Sequence, residues 1–274
     1  MKATSKLGIE AALTAVTEAR AQRALTALIE QEARYHTFLE GLAEESARHK
    51  GQRRGARILR KLGKRHVEQR EMGLQEIWAH RQLDAANRLA AIELLGDRGD
   101  AKSEHRLEEL LEGTPLESLE AREPARTTEA IAKAKRLLLG HAELAKEERV
   151  QRMRDVTVAR MTLAVMDGSR RRLINAQGGA DRTQSSARAH ATLARNLDTQ
   201  ATLHRELASL EARKNGTRLV ADPRSWQECR RSVLGSEIWT HRQLATRCAA
   251  RSLWHASCAE FMAAAALAAE KASG

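Results

Sequence analysis

Two eight-residue segments of this chain are almost identical. Glu76–Leu83 reads EIWAHRQL and Glu237–Leu244 reads EIWTHRQL, which leaves a single mismatch. The chain holds only 4 tryptophans and 10 histidines, so its composition does not explain a match that contains both residue types. We interpret the match as the trace of a duplicated helical unit. That duplication constrains the architecture of the chain far more than it constrains its chemistry.

The composition favours long helices. Aromatic residues make up 3% of the 274 residues, there are 3 prolines, and alanine and leucine carry most of the 42% hydrophobic share. Chains rich in Ala, Leu, Glu, Arg and Lys are typical of long helices, and few bulky side chains predict a thin core. We therefore expect an all-α fold, an elongated bundle of about five long helices with an internally duplicated helical hairpin.

Apolar residues recur at steps of three and four, and turn residues divide the chain into four parts. Residues 1–100 form an N-terminal helical hairpin with a basic segment, and 101–125 an acidic short helix and linker. Residues 126–180 form a bridging long helix, and 181–274 a C-terminal hairpin that resembles the first.

The helix boundaries follow from the same patterns. In the first hairpin we expect helices from about Ser5 to His49 and from about Ala56 to Leu95. Gly63 and Gly73 lie inside the second of these, where each costs about 1 kcal/mol against alanine, so we expect bending or close packing there. The second hairpin begins with a helix from about Thr183.

A second, weaker match lies upstream of the octapeptides. Ala19-Arg20-Ala21 returns as Ala187-Arg188-Ala189, and Leu25 returns as Leu193 after the same shift along the chain. This shift is longer by seven residues than the shift that relates the octapeptides. The difference is one heptad, or it falls in the turns between the helices.

The octapeptide residues are the candidate anchors of the repeat. On a helix they spread over several faces, which indicates contact with two neighbouring helices. We expect the two tryptophans to fill space where three helices meet and the two histidines to be polar partners in the same seam. The alternative is a docking surface that a repeating partner uses twice. The anchors are Ile77, Trp78, His80 and Arg81 in one copy, and Ile238, Trp239, His241 and Arg242 in the other.

Positive charge is concentrated in one segment. The formal net charge is +11, and residues 48–70 hold ten Lys or Arg against a single acidic residue. Such a segment indicates an anionic partner, unless it is simply a solvated helix face. The candidate binding residues are Arg48, Lys50, Arg53, Arg54, Arg57, Arg60, Lys61, Lys64 and Arg65.

Sequence motifs for catalysis are missing. The chain has neither a phosphate-binding glycine loop nor the GxSxG or HExxH patterns, so we expect no enzyme activity, no cofactor and no small-molecule substrate. Cys248, His255 and Cys258 share a helix face and offer a metal site as a minor alternative. Buried thiols in a reducing compartment explain them better, and we expect no metal. No apolar run is long enough to span a membrane.

These observations predict a non-enzymatic scaffold protein that packs in or on a large assembly in the cytoplasm. The leading candidate is a microtubule or another acidic cytoskeletal lattice, such as that of a cilium or flagellum. The alternative is a component of a ribonucleoprotein particle, such as a ribosome or mitoribosome, that binds the RNA backbone. Long helices, basic charge and a chain of this length also resemble BAR domains. That resemblance implies a dimeric module with a basic face on a membrane surface.

Overall fold

The structure, a computed structural model, describes residues 4–49, 53–96, 128–144, 154, 179–214 and 237–273. Every one of these residues except Gly179 is helical, so the described ranges contain no strand. This confirms the all-α fold. The acidic segment 101–125 and most of the bridging helix lie outside the described residues. The helices are α1 (Thr4–His49), α2 (Arg53–Gly96), α3 (128–144), α4 (Ala180–Lys214) and α5 (Glu237–Ser273).

The helix boundaries lie within three residues of the sequence-based positions for α1, α2 and the start of α4. Gly179 precedes α4 with a φ of 133°, a conformation that side chains disfavour. Its carbonyl oxygen accepts hydrogen bonds from the backbone N–H and the hydroxyl of Thr183, at 3.2 and 2.8 Å. The glycine therefore fixes where α4 begins.

The chain forms two compact units, and each unit combines segments from both hairpins. Unit 1 comprises Met1–Ala27, Gln75–Ala142 and Leu203–Arg242. Unit 2 comprises Leu28–Leu74, Glu143–Thr202 and Gln243–Gly274. In unit 1 α1 contacts α2 and α4 contacts α5, and the same two pairings recur in unit 2. The internally duplicated hairpin is thus a feature of the fold.

The core of each unit is thin, because alanine supplies more than half of the buried hydrophobic residues in the described part of the chain. Unit 1 contains a cluster of Ala21, Leu25 and Leu207, with Leu203 packed against it. Unit 2 contains the equivalent cluster with the roles of α1 and α4 exchanged, built from Ala189, Leu193, Leu39 and Tyr35. The weak upstream match in the sequence therefore corresponds to two equivalent pieces of core.

The two helices of the first hairpin approach closely at Gly73. A β-carbon built at this position would lie 3.1 Å from Cγ2 of Ile29, which is tighter than ordinary packing. At Gly63 the nearest atom is the β-carbon of Ala43, at an ordinary 3.8 Å. The close packing expected from the sequence is therefore present at Gly73.

Across the residues that the structure describes, no helix combines the length and the apolar character needed to cross a bilayer.

Candidate functional site

Histidine is the unusual residue of this interior. All eight histidines whose burial the structure describes are buried, four in each unit, although histidine is ordinarily only partly buried. They come from all five helices: His36, His66, His80, His141, His190, His204, His241 and His255. Burial of so many imidazoles requires that they find polar partners inside the protein.

In unit 2 four imidazoles form one layer, which we call the four-histidine layer: His36 from α1, His66 from α2, His190 from α4 and His255 from α5. The Nδ1 atoms of His36 and His66 are 2.9 Å apart, and those of His190 and His255 are 2.7 Å apart. Ring centroids of the remaining neighbours are 5.7 and 6.0 Å apart. The rings thus close a circuit through the four helices.

Unit 1 contains a matching layer, which we call the three-histidine layer: Gln22 from α1, His80 from α2, His204 from α4 and His241 from α5. The Nδ1 atoms of His204 and His241 are 3.1 Å apart, and Nδ1 of His80 bonds to the side-chain oxygen of Gln22. His80 and His204 have ring centroids 5.6 Å apart. One position that holds histidine in unit 2 therefore holds glutamine here.

The two layers correspond residue by residue. One constant shift in residue number relates α1 to α4, and a second shift, longer by one heptad, relates α2 to α5. Both paired contacts of one layer fall on the paired contacts of the other. The matches are His36 with His204, His66 with His241, Gln22 with His190, and His80 with His255.

A charged network lies beside the four-histidine layer. The buried carboxylate of Glu32 forms an ion pair with Arg251, lies 3.2 Å from Nε2 of His36 and accepts a 2.7 Å hydrogen bond from Gln200. Burial acts to raise the pKa of Glu32. The Arg251 charge and the hydrogen bonds outweigh it and hold the pKa well below its ordinary value. Glu32 is therefore ionised, and its charge is already engaged.

Burial governs the protonation of the imidazoles. It lowers the pKa of His80 and His190 to about 3 and that of His241 to about 4, with neighbouring histidines adding to the effect. For His255, burial together with His190 and His36 holds the pKa well below 6.5. These four side chains are neutral near neutral pH, which suits hydrogen bonding between rings.

Both octapeptide copies begin in unit 1, and their glutamates both contact α3. Glu76 lies 3.4 Å from Nδ1 of His141, and Glu237 forms an ion pair with Lys135. The tryptophans differ: Trp239 is 1% exposed, whereas Trp78 is half-buried with the ammonium of Lys133 5.0 Å from its ring centroid. The octapeptides align His241 with His80 whereas the fold aligns it with His66, so the copies are two heptads out of register with the fold.

The remaining anchors are also placed by the structure. Ile77 and Ile238 are buried, Arg81 is exposed and Arg242 is half-buried, and all four belong to unit 1. Ile238 packs against Ala208 and Ala212 of α4. The buried anchors therefore contribute to packing in a single unit. In that unit α2, α3 and α5 also surround a cavity of about 140 Å³ lined by Leu83, Leu138 and Thr240.

The described part of the basic segment lies on α2 in unit 2, where Arg60, Lys61, Lys64 and Arg65 are exposed. Arg48 is exposed at the end of α1 and pairs with Glu44 at 3.6 Å. Arg60, Lys61 and Lys64 form no ion pair with the described residues of the chain. Lys50 and the side chains of Arg53, Arg54 and Arg57 lie outside the described residues.

The structure gives two of the three candidate metal ligands of α5 other neighbours. Cys248 is buried, with its thiol 3.7 Å from the side-chain oxygen of Gln200, and Nδ1 of His255 faces His190. Among the described residues, no three His, Cys, Asp or Glu side chains are grouped so that they could hold a metal ion.

Sequence reasoning identified His80 and His241 as polar seam residues but missed the layers. The sequence does contain a pattern that marks the layers. Each helix that contributes to them carries one layer-forming residue for each layer, and these two residues lie two heptads apart, on nearly the same helix face. The four pairs are Gln22 and His36, His66 and His80, His190 and His204, and His241 and His255.

These features define a class: a duplicated all-helical protein in which each unit encloses a layer of buried, mutually bonded imidazoles. Compared with known proteins, the chain matches no protein family, no curated protein and no solved structure.

Proposed function

We propose that the protein is a non-enzymatic helical scaffold that docks on an acidic protein lattice through a ridge on α2. The ridge consists of the exposed residues Arg60, Lys61 and Lys64. Arg60 and Lys61 are adjacent, and each lies one turn before Lys64 on the same side of the helix. This is the observation that carries the proposal. Cations held on a helix whose opposite face is packed can meet an acidic surface without first being ordered.

The interior supports a scaffold better than it supports an enzyme. Buried histidines are the best candidates in this chain for acid–base chemistry, but the closest Nδ1 contacts join one imidazole to another. A general base has to reach a proton on a substrate, whereas these ring nitrogens reach each other. The layers therefore serve to specify how the helices pack.

A repeating acidic partner is favoured by the duplication of the fold together with the localised charge. A microtubule is the first lattice to test, and this proposal places the protein in the cytoplasm on the cytoskeleton. The competing partner is an RNA backbone. The ridge itself carries no aromatic residue, and His66, the next aromatic residue along α2, is buried, which disfavours stacking on unpaired bases there.

The test is co-sedimentation with microtubules at low and moderate salt. One variant reverses the charge of the ridge (Arg60→Glu, Lys61→Glu, Lys64→Glu). A matched control reverses three exposed arginines of α4 (Arg188→Glu, Arg195→Glu, Arg213→Glu) and so changes the net charge equally. We expect the control to bind like the wild type. The ridge variant should bind at least about tenfold more weakly, and moderate salt should weaken all binding.

Each other outcome changes the proposal. Wild-type protein that stays in the supernatant at low salt rules out the lattice. Equal loss in both variants means that net charge and not the ridge drives binding. If the wild type instead binds RNA in a ridge-dependent way, with affinity that falls steeply with salt, the ribonucleoprotein alternative replaces the lattice. Ridge-dependent binding to anionic vesicles alone would favour the membrane-surface module.

A further inference from the structure

The three Nδ1-to-Nδ1 contacts set a condition on protonation. At 2.7 to 3.1 Å, one imidazole of each pair donates N–H and the other accepts through its lone pair. A pair that carries protons on all four nitrogens has no acceptor, and it places two positive rings in contact. The packed geometry therefore suits pairs of neutral imidazoles. It opposes the state in which both rings of a pair are positively charged.

The surroundings of the four-histidine layer offer little compensation for added charge. From α1 comes Glu32, which already pairs with Arg251 of α5. Arg251 itself lies 3.3 Å from Nε2 of His36, so a fixed positive charge adjoins the layer. From α4 come the neutral Asn196 and Gln200, which bond to each other, and α2 contributes His66. The indole of Trp254 meets His190 and His255 edge-on.

The surroundings of the three-histidine layer contain more acidic groups, and these also have partners. Glu76 of α2 faces His141 of α3, and Glu237 of α5 pairs with Lys135 of α3 and bonds to Glu211 of α4. Gln22 of α1 is neutral. His141 lies outside the layer, and its Nδ1 is 3.4 Å from the carboxylate of Glu76.

We infer that the two imidazole layers act as a proton-operated lock, which keeps the helical bundle closed at neutral pH and opens it in mildly acidic solution. The inference does not depend on the identity of any partner. It concerns the protein alone, so it stands or falls separately from the proposed scaffold function.

The direction of the effect follows from linkage. Burial lowers the pKa of His80, His190 and His241 in the folded state, to about 3, 3 and 4, from an ordinary value of 6.5. The unfolded chain therefore binds more protons than the folded chain once the pH falls below about 6.5. The stability that these groups contribute is fully present above that pH and is lost progressively below it. Carboxylates such as Glu32 act only at lower pH, so the interval from about 6.5 to 5 reports the imidazoles.

The experiment is urea unfolding of the full chain, followed by far-ultraviolet circular dichroism at several pH values between about 7.5 and 5. The slope of the unfolding free energy against pH gives the number of protons taken up. We expect the urea midpoint to be constant above about pH 7 and to fall steadily below about pH 6.5, with an uptake of about three to four protons. A midpoint that stays constant down to about pH 5 would overturn the inference.

The chain itself supplies the matched variants. His190→Gln converts the pair with His255 into the glutamine–histidine pair that Gln22 and His80 already form. It should fold at neutral pH, take up about one proton fewer and lower the pH midpoint of unfolding by about half a unit. Gln22→His should do the reverse. Leu193→Ala, in the adjacent apolar core, should lower stability equally at every pH and leave the proton count unchanged.

The variants also make the result decisive. If His190→Gln and the wild type take up the same number of protons, the lock is wrong. If His190→Gln does not fold at neutral pH, Gln22→His decides alone: an unchanged proton count in that variant overturns the inference, and an increase supports it. A proton count that changes in Leu193→Ala would mean that the slope reports general destabilisation and would equally overturn it.

Discussion

The four-histidine and three-histidine layers follow one plan and differ in their fourth member. His190 faces His255 in unit 2, and Gln22 faces His80 at the equivalent place in unit 1. An amide oxygen accepts a hydrogen bond at any pH, whereas an imidazole nitrogen accepts one only while it is unprotonated. The comparison teaches that the same packing geometry can be made more or less sensitive to acid by one side chain.

The layers also differ in their neighbours. The buried ion pair of Glu32 and Arg251 adjoins only the four-histidine layer, because the residues equivalent to this pair are Gln200 and Glu76. Unit 1 instead receives α3, which brings His141 and Lys135 to the two repeated glutamates. In unit 2 the buried carboxylate of Glu32 thus finds its partner on α5, one of the four helices that form the layer. In unit 1 the carboxylates of Glu76 and Glu237 find partners on the additional helix α3.

The largest effect should come from breaking the buried ion pair. Glu32→Ala leaves the guanidinium of Arg251 buried without its carboxylate, and we expect a loss of about 3 to 5 kcal/mol in the free energy of unfolding. Glu32→Gln combined with Arg251→Met removes both charges and should recover much of that loss. Urea unfolding at neutral pH measures the free energy of unfolding of each variant. The control is Glu44→Ala at the exposed pair with Arg48, which should cost less than about 1 kcal/mol. Equal effects at the two sites would contradict the burial argument.

Acid should loosen the two layers unequally. Each buried neutral histidine contributes about 1.4 kcal/mol per pH unit below its unfolded pKa, so the extra imidazole should cost unit 2 about 2 kcal/mol more by about pH 5. Amide hydrogen exchange of the full chain can follow the helix segments of each unit separately. We expect 28–48 and 243–270 to lose protection at higher pH than 10–27 and 203–213. The opposite order would mean that the glutamine in unit 1 gives no protection from acid.

Two glycines of α2 should respond in opposite directions to the same substitution. Gly73→Ala places a β-carbon 3.1 Å from Cγ2 of Ile29, a stiff branched side chain, so we expect a loss of about 1 kcal/mol. Gly63→Ala meets only the β-carbon of Ala43 at 3.8 Å and should gain about 0.5 to 1 kcal/mol from helix propensity. Thermal unfolding of both variants measures the difference, and a gain at both sites would show that Ile29 can move aside.

The smallest effect should appear at Lys133, the residue beside one of the two repeated tryptophans. Lys133→Ala removes the ammonium that lies over Trp78, and we expect a cost of about 0.5 to 1 kcal/mol, since the ring is half-buried. The contrast is Trp239→Ala, which empties a buried site and should cost about 3 to 5 kcal/mol. Similar values for Trp78→Ala and Trp239→Ala would restore the equivalence that the octapeptides suggest.

The fold was largely predictable because helices leave local signals. Composition and apolar spacing predicted α1 and α2 to within three residues, and the upstream match of Leu25 with Leu193 pointed to equivalent pieces of core. The imidazole layers were not found, because each joins side chains from four helices that lie far apart in the chain. Their two-heptad spacing is visible only when histidine and Gln22 are read as one class.

The repeated octapeptides gave a misleading register for a physical reason. Histidines two heptads apart on one helix face allow His241 to be matched with either His66 or His80, and local similarity selects His80. Packing instead matches His241 with His66. His66 faces His36 on the other helix of its hairpin, and His241 faces His204 in the same way. Trp239 is buried whereas Trp78 is half-buried, and no local pattern encodes this difference.

Each layer takes one side chain from each of α1, α2, α4 and α5, so a single hairpin completes neither layer. A gene that encoded one hairpin would give a protein able to close its layers only as a two-fold symmetric dimer. Fusion of two such genes would give the present polypeptide. In that ancestor one codon would have specified the residues now found as Gln22 and His190, so their divergence would have become possible only after such a fusion.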